Sequence, residues 1–172
     1  MASLGPNNPA TASGWVNSTF VFASDDSRAT DFIAFGTIGG VLSVTNFSFS
    51  VPAGSTLNGI LMEYERSATG TGAIEDYEIK LTGVTGASAN KAVAGTWTPA
   101  DAYVSRGGSS DLWSTTPTVS EINSTTFGVL ITAQETTMTN DATARIDHVR
   151  ITVYFTPATR SIAPGIIGAR PY

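Results

Sequence analysis

Apolar and polar residues alternate along most of the chain. The clearest alternation covers Arg145–Phe155, where Val149, Ile151, Val153 and Phe155 all fall on one face. A period of two is typical of a strand that buries one face and exposes the other. The same pattern predicts strands at 41–51, 59–66, 74–82 and 126–135, and weaker versions predict strands near 19–22, 31–35, 91–97 and 102–105.

The alternation also predicts which side chains are buried. At 74–82 it places Tyr77, Ile79 and Leu81 on the buried face and Asp76 on the exposed face. In the other stretches the predicted buried residues are Phe47, Phe49, Val51, Ile60, Met62, Tyr64, Phe127, Val129, Ile131 and Ala133.

Turn-forming segments separate these stretches, and none of the chain shows a long apolar stripe with helical spacing. One helical turn is predicted near residue 120, where Thr118 and Glu121 have the spacing of a capping box and Ile122 points to the core. About eight to nine half-buried strands without crossover helices indicate two packed antiparallel sheets. The predicted fold class is therefore all-β, an antiparallel β-sandwich of jelly-roll-like type.

The two ends of the chain differ from the predicted sandwich domain at 15–156. Residues 1–14 are turn formers with little to bury and are predicted to be an N-terminal arm. Residues 157–172 combine three prolines with apolar and basic side chains, and are predicted to be a C-terminal arm. Either this arm docks on a neighbouring molecule or it lies on its own domain. Its candidate contact residues are Arg160, Ile166, Ile167, Arg170 and Tyr172.

Composition narrows the classes of function. Only 13% of residues are charged, against roughly 25% in typical soluble domains, whereas 18 Ser and 25 Thr make up a quarter of the chain. The net charge is −5 and no basic cluster occurs, so direct nucleic-acid binding and membrane-surface binding are not expected. The N-terminus does not resemble a signal peptide. The absence of cysteine excludes disulfides, thiolate catalysis and cysteine-bound zinc.

The stretch "DAYVSRGGSSDLWSTT" at 101–116 looks most like a binding site. A phosphate cradle needs a helix to begin after the glycines, and none is predicted there. Trp113, together with Trp15 and Trp97, could form a face that stacks on a sugar. Alternatively, Trp15 and Trp97 cap the core and Trp113 closes one end of it. We expect a short strand that ends in a glycine turn, with Asp111 accepting a hydrogen bond from the backbone of that turn.

Other candidates for chemistry are weak. His148 and Asp147 point to opposite faces of one strand and so do not form a dyad. Glu63 and Glu65 are spaced like a glycosidase pair, but an exposed acidic strand has the same spacing, and Arg66, Lys80 or Arg150 on a neighbouring strand is a candidate partner for them. No enzymatic activity and no cofactor are predicted. Structural calcium remains open, because loops carry the acidic residues Asp25, Asp26, Asp31, Glu75, Asp76, Asp101, Asp111 and Asp141.

Several stretches together resemble a known group of proteins. They are "SGWVNSTFVFASDD", "VPAGSTLNGILMEYERSA", "DAYVSRGGSSDLW", "EINSTTFGVLI" and "ARIDHVRITVYF". In this order they are similar to small all-β proteins of tailed bacteriophages and prophages, and the resemblance covers roughly residues 13–156. The family usually has a second tryptophan after "SDLW", which this chain lacks.

The resemblance implies a structural protein of the virion. The first hypothesis is a capsid decoration or cement protein, which would bind the major capsid protein and act as a homo-oligomer, with a trimer favoured. It would be made in the host bacterial cytoplasm and end on the particle surface. The alternative is a receptor- or glycan-binding module of a head or tail fibre or baseplate, or another head–tail component. A hydrolase is the least favoured of these hypotheses.

Overall fold

A computed structural model of the protein describes residues 1–137 and 139–159. Within them lie nine strands, one 3₁₀ helix (Ser18–Val21) and one short α-helix, α1 (Val119–Ile122). The strands are β1 (Ala2–Asn7), β2 (Thr11–Ser13), β3 (Ala29–Ile33), β4 (Leu42–Thr45), β5 (Thr56–Gly70), β6 (Ile74–Thr82), β7 (Ala102–Gly108), β8 (Gly128–Glu135) and β9 (Ala142–Thr156). None of the helices in this part of the chain is long and apolar enough to cross a membrane.

The strands form two antiparallel sheets, which confirms the predicted all-β sandwich. In the first sheet, β9 pairs with β5 along one side, and with β1 and β3 along the other. Strand β7 pairs with the free side of β5. The second sheet has the order β2-β4-β8-β6. The two longest strands, β5 and β9, are therefore the centre of the first sheet.

The core lies between the sheets and is formed by the apolar positions of the alternating stretches. The predicted inward residues of β5, β8 and β9 are all buried. A fully buried side chain of this type contributes about 1.5–3 kcal/mol relative to an exposed one. The capping box at α1 is also confirmed, since Thr118 and Glu121 each bond the other's backbone, and Ile122 is buried.

Residues 1–14 are not an arm, and that prediction is wrong. Strand β1 pairs with the C-terminal half of β9, and β2 pairs with β4. The Asn7 side chain also donates to the carbonyl oxygen of Phe47 at 2.9 Å. These short, turn-rich segments become strands because β9 and β4 offer unpaired edges, which the local sequence does not reveal.

Three of the strand predictions are also corrected. Residues 18–21 form a 3₁₀ helix, with Val21 buried. The strand at 41–51 ends at Thr45, because Asn46 and Ser48 adopt positive φ angles of 63° and 53°. Residues 91–97 run beside β6 without forming a strand. The amides of Lys91 and Trp97 each donate to a β6 carbonyl oxygen at 2.8 Å, and the side chains of Ser88 and Asn90 also bond the β6 backbone.

Candidate functional site

Residues 101–116 form a strand end, as expected. Strand β7 runs to Gly108, where an isolated bridge to Asp111 closes the turn. The Asp111 carboxylate accepts a hydrogen bond from the Trp113 amide at 2.7 Å and pairs with the Lys91 ammonium at 2.7 Å. The predicted role of Asp111 as a backbone acceptor is confirmed.

Trp113 is fully buried. Its indole Nε1 donates to the carbonyl oxygen of Ile60 at 2.9 Å, so its one polar atom has a partner inside the protein. A buried indole presents no face for a sugar, and the interpretation of Trp113 as a binding residue is therefore wrong. The alternative, that Trp113 closes the core, is confirmed.

The same indole explains why glycine is required at one position of the pair Gly107–Gly108. Gly107 has a φ of 79°, and a Cβ placed on it would lie 2.3 Å from Trp113 Nε1 and 2.2 Å from the carbonyl oxygen of Ile60. A Cβ on Gly108 meets nothing within 4 Å. Gly107 thus makes room for the tryptophan and does not cradle a ligand.

These two glycines give a matched pair of variants. Gly107→Ala should lower the free energy of unfolding by about 2–4 kcal/mol, because the new methyl clashes with backbone and indole at a strained φ. Gly108→Ala should change it by less than about 1 kcal/mol. Urea unfolding followed by tryptophan fluorescence measures both. Equal losses would contradict the packing of Trp113 on Gly107.

A buried polar cluster, which the sequence pattern did not predict, centres on Asp76 of β6. The carboxylate pairs with Arg66 of β5, and with Arg106 of β7 at 2.5 Å. It also accepts hydrogen bonds from the Tyr64 hydroxyl at 2.8 Å and the Trp97 indole at 3.0 Å. Asp76 therefore joins the second sheet to the first sheet.

The electrostatics of this cluster keep the Tyr64 hydroxyl protonated. Burial, and next the negative charge of Asp76, raise the pKa of Tyr64 far above its usual range, so the phenol stays protonated. The Arg66 guanidinium carbon lies 4.9 Å from the Trp97 ring centroid, within cation–π distance. The Asp76 carboxylate finds its partners within the protein, which suits a structural role.

A strand bulge explains why Asp76 faces inward. Asp76 pairs with Ala133 and Glu78 pairs with Thr132, so Tyr77 is an extra residue on β6. The extra residue reverses the alternation, which buries Asp76 and leaves Tyr77 43% exposed. The predicted orientations of these two residues are wrong for this reason. The sequence did contain one signal that Asp76 is buried. Alternation places Arg66 on the buried face of 59–66, and a buried guanidinium requires an acidic partner.

A second polar group lies on the outer face of the first sheet around His148. Its Nδ1 is 2.7 Å from the Tyr103 hydroxyl, and its Nε2 is 3.0 Å from Asn8 Oδ1. The neutral ring with its proton on Nε2 satisfies both contacts, since Tyr103 then donates and Asn8 accepts. Arg150 forms a bidentate ion pair with Glu63 and lies 4.5 Å from the Tyr103 ring centroid.

The expected pairing of Glu63 with Arg150 is confirmed by this contact. Glu65 accepts from the Ser24 hydroxyl at 2.7 Å. Asp147, beside His148 in sequence, accepts instead from the backbone amides of Asp25 and Asp26. Asp147 and His148 thus bind different partners, as expected.

Stability should fall as the solution is acidified through the range in which histidine titrates. Burial, and next the positive charge of Arg150, lower the pKa of His148. The folded protein then binds fewer protons than the unfolded chain below the unfolded pKa of about 6.5, so acidification favours unfolding. We expect urea unfolding midpoints to drop between pH 7.5 and 5.5 in the wild type. In His148→Gln the drop should be smaller, and an identical drop would contradict the assignment.

The remaining acidic residues were candidates for calcium. Asp101 pairs with Arg28, whose guanidinium lowers the pKa of that carboxyl, and Asp31 accepts from the Gly40 amide at 2.7 Å. Among residues 1–137 and 139–159, no three His, Asp or Glu side chains are grouped closely enough to hold a metal ion. No pocket is present in the same residues.

An exposed apolar surface lies where β3 leads into β4. We call it the β3 rim and define it as Val16, Phe32, Phe35, Ile38 and Val41, whose exposure runs from 48% to 68%. These are half of the ten large hydrophobic residues that are exposed in the described chain. Such grouping is typical of a surface that binds another protein.

Contacts join the β3 rim to both sheets. Val16 pairs with Thr30 of β3, and Ile38 pairs with Gln134 of β8. The Phe35 amide donates to Asp141 at 3.0 Å, and the Trp15 indole donates to the carbonyl oxygen of Gly40 at 2.8 Å. The rim thus bridges the two sheets at one edge of the sandwich.

The predicted contact residues of the C-terminal arm lie outside the described residues. They are Arg160, Ile166, Ile167, Arg170 and Tyr172. The described start of the arm, residues 157–159, is exposed.

Comparison of the sequence with protein-family models and with curated proteins, and of the structure with solved structures, found no match. The interpretation of function therefore rests on the chain itself.

Proposed function

We propose that this protein is a non-enzymatic structural component of a bacteriophage virion. More specifically, the protein is a capsid decoration or cement protein, which is present in many copies on the particle surface and binds the major capsid protein. Such a protein works through broad contacts with other proteins, and it needs no concave site.

The observation that carries the proposal is the β3 rim. Five large apolar side chains are exposed at one edge of the sandwich, and solvent-exposed apolar groups of this kind favour burial against another protein. The two clusters richest in charge, around Asp76 and His148, are closed by partners within the chain. The motif order at 13–156 that resembles phage proteins supports a location on the particle.

The glycan-binding alternative has lost the residues on which it depended. The tryptophans were to provide the stacking surface, and Trp15, Trp97 and Trp113 are all buried. No other observation favours this alternative over protein contact, so we do not pursue it.

The cement role is tested with particles produced with and without the chain. Particles that lack it should release their DNA at a lower temperature, and adding the purified protein should restore the original temperature, because surface contacts bridge neighbouring capsid subunits. DNA release followed by dye fluorescence measures this. Particles that lack the chain and show unchanged release would contradict a cement role.

A further inference from the structure

The outer edge of β3 is open beside Phe32. Thr30 bonds through both its amide and its carbonyl to Val16, on the side of β3 away from β9. In a strand, the backbone groups of residues two apart point the same way, so those of Phe32 also point to this side. No backbone partner meets them within residues 1–137 and 139–159. An unpaired amide and carbonyl at a sheet edge can pair with an added strand.

The surroundings of this edge are apolar and acidic. Phe32 is 68% exposed and Phe35 is 58% exposed. Asp31 and Asp141 lie beside them, and neither has an ion-pair partner in the described chain. An occupant that suits this edge is extended, apolar and basic.

The C-terminal segment 157–172 has this chemistry. It carries Ile166 and Ile167 between Arg160 and Arg170, and it contains no acidic side chain. Its apolar pair matches the phenylalanines of the rim, and its arginines complement the two aspartates.

Chain geometry excludes that Ile166 and Ile167 of the arm reach this edge of their own molecule. Ala158 lies beside Gly54, at the end of the sheet where Thr56 pairs with Thr156. Phe32 pairs with Thr143, thirteen residues back along β9, which is about 43 Å at strand rise. Ile167 is nine residues beyond Ala158, so a fully extended chain reaches at most about 32 Å.

We propose that residues 157–172 of one copy bind the β3 rim of a second copy. The arm adds to the open edge of β3, with Ile166 and Ile167 packed on Phe32 and Phe35. This inference identifies a second copy of the chain as the partner of the β3 rim. It rests on one part of the proposed function, namely that the protein assembles in several copies. Head-to-tail exchange of this kind gives a ring where the rotation between copies closes, and an open filament where it does not.

The test measures the mass of purified proteins in solution by sedimentation. Four proteins are compared: the full chain, a chain ending at Thr159, the double variant Phe32→Ser/Phe35→Ser, and the control Tyr77→Ser, which removes an exposed aromatic that is not part of the rim. We expect the full chain and the control to assemble. The truncated chain and the double variant should be monomers, or their dissociation constants should rise at least about tenfold.

Mixing the truncated chain with the double variant tests exchange between copies. One supplies an intact rim and the other an intact arm, so the mixture should contain a heterodimer although each protein alone does not assemble. Far-UV circular dichroism establishes that all four proteins are folded. A monomeric full chain, assembly of either defective protein at wild-type affinity, or a mixture without heterodimer would overturn the proposal. Because no particles are present, these results are independent of whether the protein binds a capsid.

Discussion

Asp76→Ala should lower the free energy of unfolding by about 3–5 kcal/mol, because it leaves two buried guanidinium groups without their carboxylate. It also removes the acceptor of the Tyr64 hydroxyl and of the Trp97 indole. Domains of this size are stabilised by only about 5–15 kcal/mol, so the variant should be close to unfolding at room temperature. Urea denaturation followed by circular dichroism measures the loss.

The matched control is Glu78→Gln on the same strand. Glu78 pairs with Lys80, but both side chains are about one-third exposed. Exposed ion pairs contribute about 0–1 kcal/mol, so this variant should remain close to the wild type. Similar losses for the two variants would mean that Asp76 does not join the sheets in solution.

Trp113→Ala should lower the free energy of unfolding by about 3–5 kcal/mol, the range for removing a large aromatic side chain from a core. The fully buried indole packs on Gly107 and donates to Ile60, and alanine would leave a cavity and an unpaired carbonyl. Thermal unfolding by circular dichroism measures this.

Trp113→Phe is the informative companion to that variant. It keeps most of the bulk and loses the hydrogen bond, so it should cost clearly less than alanine. An alanine variant as stable as the wild type would contradict the burial of Trp113 and would reopen its interpretation as a binding residue.

The sequence was most informative where a strand buries one face without interruption. The pattern predicted β6 with its observed bounds, and it predicted the buried residues of β5, β8 and β9. The capping box of α1 was predicted because its signal is local. Period-two burial and helix capping both depend on neighbouring residues alone, and one sequence displays them.

The wrong or absent predictions concern features that depend on residues distant in the sequence. Asp76 was placed outside because the extra residue Tyr77 shifts the alternation by one, and such a bulge depends on pairing with β8. Strand β1 exists because β9 offers an edge, at a separation of about 150 residues. The β3 rim was not predicted either, since alternation assigns faces but does not show which edge remains uncovered.

Our central proposal is that this protein lies on the surface of a phage particle in many copies. Quantitative mass spectrometry of purified particles, with the major capsid protein as internal reference, tests it most directly. We predict hundreds of copies per particle, in a fixed ratio to the capsid protein. Its absence from purified particles would contradict a virion role, and a handful of copies would contradict decoration and indicate a connector, baseplate or fibre component.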